Sequence, residues 1–212
     1  MTSSTRLRLK RRLQNPISRE DTFSPEGFAT RSPALVSGMP PRKVPSPVSR
    51  DVLEVDWTFF GELCRGLALR IAGSFDPEIV IGIAKAGVIP GAVIASILQR
   101  DFASMAVTRK NDDHRPTLVT APPPSVRGRR VLVVDETCDS GATMKLALSA
   151  VKEHSPASVK SAVSFTTGAY NVDFHALKTA SIIILPWDRE VIVDGELVMR
   201  PDYEQLLKGM GQ

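Results

Sequence analysis

From Trp57 onward, apolar residues recur at three- and four-residue steps: Trp57, Phe60, Leu63, Cys64, Leu67, Ala68 and Ile71. That spacing lays them on one face of an amphipathic helix, and Asp56 directly before it is a suitable N-cap. The stretch "EIVIGIAKAGVIPGAVIASIL" (78–98) is apolar for most of its length. Lys85, Pro90 and the glycines Gly82, Gly87 and Gly91 interrupt it, which argues against a membrane-spanning helix. It reads as a buried strand at Ile79–Ile83, a loop at Ala84–Gly87 and a helix through Leu98. Further strands are expected at Ala103–Thr108, Val131–Val134, Val159–Phe165 and Ile182–Leu185. Helices are expected from about Gly141 to His154 and from about Asp202 to Lys208. Continuous apolar strands alternating with helices predict an α/β fold, a central, mostly parallel sheet flanked by helices. In such sheets ligands sit beyond the carboxyl ends of the strands, where the loops at Ala84–Gly87 and Asp135–Ala142 both emerge.

The patterning stops short of the N-terminus. Residues 1–50 contain seven of the 16 prolines, with scattered Ser, Thr and Arg and no sustained apolar period. Such a segment buries too little apolar surface to offset the entropy of ordering, so a disordered leader over 1–50 and a folded domain over 51–212 are expected. No apolar stretch follows the basic start in the manner of a secretory signal. The leader holds ten Lys or Arg against three acids, leaving 17 basic and 20 acidic residues for 51–212. The chain's net charge of +4 therefore belongs to the leader, and the folded part gives no reason to expect a nucleic-acid surface or a membrane partner. Two cysteines, Cys64 and Cys138, without disulfide or zinc spacing, suit a reducing cytoplasm.

The chemistry concentrates in "VLVVDETCDSGATM" (131–144). Ser140, Gly141, Ala142 and Thr143 open a helix whose first N–H groups lack intrahelical partners. Small residues there admit a phosphate, although Ser or Thr at such a place also serves as a plain N-cap. Asp135 and Glu136 close an apolar strand. They read either as solvated acids at a strand terminus or as a pair for sugar hydroxyls and a hydrated divalent ion. Side chains alternate along a strand, so both acids line one pocket only if the strand ends there. Asp139, in the loop before the small-residue turn, is placed to exchange a proton with a reacting group. Cys138 has no paired base and is not expected to be a nucleophile.

These residues carry a resemblance. "VLVVDETCDSGATM" resembles the phosphoribosyl-diphosphate (PRPP) binding signature of type I phosphoribosyltransferases, and "IGIAKAGVIPGAVIA" is similar to their pyrophosphate loop and following helix. The order from Trp57 to about Asp188 is that of the purine branch, near the xanthine-guanine and hypoxanthine types. The resemblance implies Mg2+-dependent transfer of 5-phosphoribosyl from PRPP to a purine-like nucleobase in salvage, with pyrophosphate released. By the same resemblance, Asp135 and Glu136 contact the ribose and metal, and Asp139 is the general acid or base. Thr137, Cys138, Asp139, Ser140, Gly141, Ala142 and Thr143 form the 5′-phosphate loop. Lys85, Ala86 and Gly87 meet the pyrophosphate, joined by Arg109 and Lys110 from the closing loop "TRKNDDHRP" (108–116). "LPWD" (185–188) resembles the end of the base-binding segment, which brings Ile182, Ile183 and Trp187 to the base and Asp188 to the metal. A homodimer or homotetramer is implied by resemblance as well.

The chain departs from that pattern in places. Ala86 stands where a second glycine is common, and Ser140 replaces a threonine. Most notably, Thr166 or Thr167 falls where a Lys contacts the 6-oxo group of the purine. A hydroxyl reads a polar edge without supplying charge. The PRPP half of the expected site is intact and the base half is altered, which keeps open an alternative: a non-catalytic sensor of PRPP or a nucleotide on the same fold.

Overall fold

A computed structural model of the chain describes residues 51–109 and 115–210. A six-stranded sheet is built from β2 (Ile79–Ala84), β3 (Asp101–Thr108), β4 (Thr117–Thr120), β5 (Arg130–Cys138), β6 (Ser158–Thr166) and β7 (Phe174–Lys178). Their spatial order is β4-β3-β2-β5-β6-β7, all parallel except β4, which runs antiparallel to β3. Beside it lie a parallel ladder of β1 (Val52–Glu54) with β8 (Ile182–Ile184) and a hairpin of β9 (Glu190–Val193) and β10 (Glu196–Met199). The expected α/β class and mostly parallel sheet are present, including α1 (Trp57–Ala72), α2 (Val88–Leu98), α3 (Ala142–Glu153) and α4 (Pro201–Met210).

Two faces of the sheet are covered, which is why β2 is buried along almost its whole length. Ile79, Ile81, Ile83, Val131 and Val133 pack with Met144, Ala147 and Val151 of α3. Val80, Leu132, Val134 and Ala162 pack on the other face with Leu67, Ala68 and Ile71 of α1 and Ile94 of α2. A third cluster joins Val55, Phe60, Cys64, Phe165 and Leu185. The expected cap of α1 forms, with Asp56 Oδ1 accepting from the Phe59 N–H at 2.7 Å. Of the predicted apolar face, Phe60, Cys64, Leu67, Ala68 and Ile71 are buried. Trp57, the first helical residue, is 58% exposed.

The chain winds outward in both directions from the middle of the sheet. From β2 it passes through α2 to β3, on one side; from β5 it passes through α3 to β6, on the other. The boundary between β2 and β5 is therefore the point where the strand order reverses, and a crevice opens there. Pairing of β2 with β5 ends at Gly82–Val134, whereas β5 continues beside β6 to Cys138 and Thr166.

β5 thus runs four residues past its expected end at Val134, and its side chains change phase on the way. Glu136, Ser164 and Ala176 share one level across β5, β6 and β7, and that row alone is left out of otherwise continuous pairing. Val131 and Val133 face α3 and so, past the interruption, does Cys138, which simple alternation would place on the opposite face. Phe165 likewise joins a different cluster from Val163, two positions before it. Ser164 sits in the middle of the interrupted row with its Oγ buried and unpaired. Removing an unsatisfied buried hydroxyl relieves its desolvation cost, so Ser164→Ala is expected to stabilise the protein by about 1 kcal/mol in urea denaturation. A loss of stability in that measurement would show that the hydroxyl is hydrogen-bonded in solution.

Candidate functional site

A cavity of about 460 Å3 fills the crevice between the carboxyl ends of β2 and β5. Its lining comprises Ile83, Ala84, Lys85 and Ala86 from the β2 side, Val107 and Arg109 from the end of β3, and Asp135, Glu136, Thr137, Asp139 and Thr143 from β5 and the start of α3. Asp135 and Glu136 line it together although the strand does not end at them. The interrupted row supplies the missing half-step, and the departure of β2 leaves that edge of β5 open. The expectation that only a strand terminus would allow this is corrected accordingly.

The two walls carry opposite charge: Lys85 and Arg109 face Asp135, Glu136 and Asp139. Arg109 Nε donates to Thr143 Oγ1 at 2.9 Å, tying the chain after β3 to the first turn of α3. Asp135 is buried, and its Oδ1 accepts from the Glu136 N–H at 3.0 Å. Burial holds its carboxyl well above the ordinary carboxylate range and neighbouring Glu136 pushes it further. The Glu136 N–H and the Arg109 charge oppose this. The Cys138 thiol is also raised, first by burial and then by Asp135 and Asp139, which suits a packing residue rather than a nucleophile.

At the helix start, Gly141 is left-handed (φ 76°) and Ser140 Oγ accepts weakly from the Ala142 N–H at 3.4 Å. Thr137, Asp139 and Thr143 reach the cavity wall. Cys138 is buried behind it, and Ser140, Gly141 and Ala142 complete the turn outside the lining. On the other wall, Gly87 N-caps α2 without a side-chain cap, behind Lys85 and Ala86. Lys110 lies outside the described residues.

The residues expected at the base and Asp188 are not brought to this cavity. Thr166 is 4% exposed and lines a separate pocket of about 60 Å3 with His175 and Lys178. Thr167 donates its N–H to the Cys138 carbonyl at 3.0 Å. Ile182 and Ile183 belong to β8, paired with Val52 and Leu53, and Ile183 packs on the third cluster. Trp187 packs among aromatic rings, edge-to-face with Phe60 at 4.8 Å and tilted against Trp57 at 5.6 Å between centroids. Asp188 is held by the Tyr203 hydroxyl and Arg200 Nη2, each at 2.6 Å, so it anchors α4 instead of joining Asp135 and Glu136. Burial and Asp188 together push the Tyr203 hydroxyl up to about 12. Sequence reasoning missed Val107, whose strand position carries no chemical signature. It also missed Gly168 and Tyr170, which back the turn before α3 from a distant segment.

Among the described residues no three His, Cys, Asp or Glu side chains gather as a complete metal cage. The buried Asp135 beside Glu136 fits a different arrangement: two hard oxygen donors for an ion such as Mg2+, which keeps several waters and takes one or two carboxylates. No helix of the described residues is long and apolar enough to cross a membrane.

Comparison with known proteins adds two findings. The model of the phosphoribosyl transferase domain family matches residues 56–195. Among solved structures, the chain is similar to a purine phosphoribosyltransferase from Pyrococcus horikoshii Ot3 (22% identity over 68% of this chain and 99% of that one, TM-score 0.60). It is also similar to a hypothetical protein from Neisseria gonorrhoeae with bound ppGpp (20%, 77% and 98%, TM-score 0.58). A third is the xanthine-guanine-hypoxanthine phosphoribosyltransferase of Helicobacter pylori (17%, 74% and 99%, TM-score 0.56). At these identities the structural likeness establishes the fold.

The strained ionisation of Asp135 has a measurable consequence. Its raised value means the folded state keeps a proton that the unfolded chain releases near pH 3.9, about the free aspartate value. Stability attributable to this residue therefore falls as pH rises from that value through the folded one, and the deficit is complete above it. Asp135→Asn is expected to melt higher than wild type at pH 7, with the gap closing below about pH 4. Thermal denaturation across pH checks this; an Asn variant less stable at pH 7 would contradict it.

Proposed function

Because this chain belongs to the phosphoribosyl transferase domain family, and is thereby a phosphoribosyltransferase using PRPP, we propose that it carries out Mg2+-dependent transfer to a purine-like nucleobase in nucleotide salvage. The observation that carries this reading is the single cavity in which Asp135, Glu136, Asp139 and Thr143 face Lys85 and Arg109. Residues 51–212 form the transferase domain in this reading, acting in the cytoplasm as a homodimer or homotetramer, as the family resemblance implies.

Each part of PRPP has a matching wall. The 5′-phosphate takes the turn Thr137–Thr143 at the start of α3, where free N–H groups, the helix dipole and the Thr143 hydroxyl favour an anion. The ribose hydroxyls donate to Asp135 and Glu136. The diphosphate lies toward Lys85, Arg109 and the backbone N–H groups of Ala86 and Gly87, which stabilise charge as it leaves. Mg2+, held by Asp135 and Glu136, supplies further charge neutralisation for the diphosphate when bound. As the bond from C1 to the diphosphate breaks, the sugar becomes cationic, and the carboxylates on the β5 wall favour that charge. Asp139 exchanges a proton with the incoming base. Arg109, directly after β3, reaches the cavity and is tied to the first turn of α3 through Thr143, which places its charge beside the diphosphate in this reading.

Release of pyrophosphate, measured with PRPP, Mg2+ and a panel of purine and pyrimidine bases, tests the proposal. Turnover with one base, reduced ~100-fold by Asp139→Asn, is expected. PRPP binding without turnover over the whole panel would instead favour the second reading, a sensor of PRPP or a nucleotide. That reading draws on the uncharged Thr166 at the base side and on the ppGpp bound to the Neisseria protein of like fold.

A further inference from the structure

The segment at the end of β6, "TTGAY" (166–170), stands where base recognition was expected, yet its contacts run to the turn before α3. The last rung of the sheet joins Cys138 to Thr166. Beyond it the two chains stay side by side. Thr167 donates its N–H to the Cys138 carbonyl at 3.0 Å. Gly168 lies against Asp139: a Cβ on it would stand 2.3 Å from the Asp139 carbonyl oxygen and 2.5 Å from Oδ1. The ring of Tyr170 lies against Gly141, where an added Cβ would stand 2.1 Å from Cγ and 2.5 Å from both Cδ atoms. Lys145 Nζ, one turn into α3, is 5.1 Å from the centroid of that ring. Residues 138, 139 and 141 are thus met in order by residues 167, 168 and 170.

The turn needs such support. Gly141 holds a left-handed conformation that directs the first N–H groups of α3; as N-cap it offers no side chain, and Ser140 Oγ accepts only weakly from the Ala142 N–H at 3.4 Å. Sheet pairing has already ended three residues earlier. We infer that Gly168 and Tyr170 are positioning residues for the reaction, Tyr170 holding the turn that receives the 5′-phosphate and Gly168 seating the Asp139 carboxylate. This rests on the PRPP reading of the cavity and adds to it a division of labour. The phosphate is held equally before and during reaction, so loosening its seat raises KM for PRPP. Asp139 acts on the reacting base, so displacing it lowers kcat. The ring makes the contact, so phenylalanine serves in place of tyrosine.

The test uses full-length protein, steady-state kinetics at saturating base, and amide hydrogen exchange without ligand. Tyr170→Ala is expected to raise KM for PRPP about tenfold with kcat within about threefold, and to speed exchange at residues 141–144. Tyr170→Phe is expected to stay within about twofold of wild type in all three. Gly168→Ala is expected to lower kcat about tenfold or more, with a smaller effect on KM. Gly141→Ala should cost less affinity in a Tyr170→Ala background than alone, since the two sites touch. Wild-type KM and exchange in Tyr170→Ala would overturn the inference, as would equal impairment by Phe and Ala. A wild type that neither binds nor turns over PRPP would instead sink the parent reading and the kinetic half of this one, leaving the exchange result to decide the brace.

Discussion

The crevice depends on how closely one backbone crosses another. The loop from Ala84 to Gly87 passes over the end of β5 with Gly87 directly against Asp135. A Cβ on Gly87 would stand 2.8 Å from Asp135 Cα and Oδ1, and 2.7 Å from the Ile83 carbonyl oxygen. No side chain fits there, so this glycine is required by contact rather than by flexibility. Because the crossing is so tight, β2 can turn away from β5 after Gly82 and still leave Lys85 on the wall opposite the acids. The reversal of strand order then adds an open edge of β5, and α2 and α3 begin on either side of it. Charge complementarity between the walls follows from that packing, since each wall is only the end of a strand with its short loop.

The same region holds the features that work against stability. Asp135 is a carboxylate whose charged form is disfavoured by burial and by Glu136. Ser164 Oγ lacks a partner, and the row containing it is missing from the pairing of three strands. Gly141 adopts a conformation that side chains rarely enter. Away from this region, α1 has its cap and the three clusters fill both faces of the sheet. Exceptions concentrated where a ligand would sit are what a site built for binding entails. A carboxylate that is costly alone gains from meeting a cation or hydroxyl donors, so the energy withheld from folding reappears as affinity.

Much of this was legible along the chain. The i, i+3, i+4 spacing of α1, the unbroken apolar run of β2 and the acidic strand end followed by small residues are local signals, and each emerged as an element or a cavity wall. The phase change at Glu136 was not legible, because it involves Ser164 and Ala176 on neighbouring strands and leaves no mark in any one of them. The hairpin was a different omission. Asp194 and Gly195 both have positive φ, the two-residue turn that Asp-Gly favours between strands, and the signal stood in "VIVDGELVM". Trp187 and Ile183 were assigned to the base by their place in a motif, whereas their packing was decided by Phe60 and Trp57, more than a hundred residues earlier.

Among the departures from the family pattern, the one at Thr166 falls on a single rung of the sheet. Thr166, where a lysine was expected, pairs in register with Lys178 of β7, and the two share a small pocket with His175 and Gly168. Lys160, the other lysine near this region, is committed to Asp173 at 2.7 Å. The positive charge of this neighbourhood therefore lies one strand farther from β5 than the family pattern places it. Gly168 touches Asp139 on one side and lines that pocket on the other, so a single residue without a side chain separates Asp139 from the altered rung. The contacts that back the turn before α3 run through Tyr170 and Gly141 instead. Under the proposed function, recognition of the base and retention of the sugar phosphate would rest on different residues of one short segment, so the first could change while the second is kept.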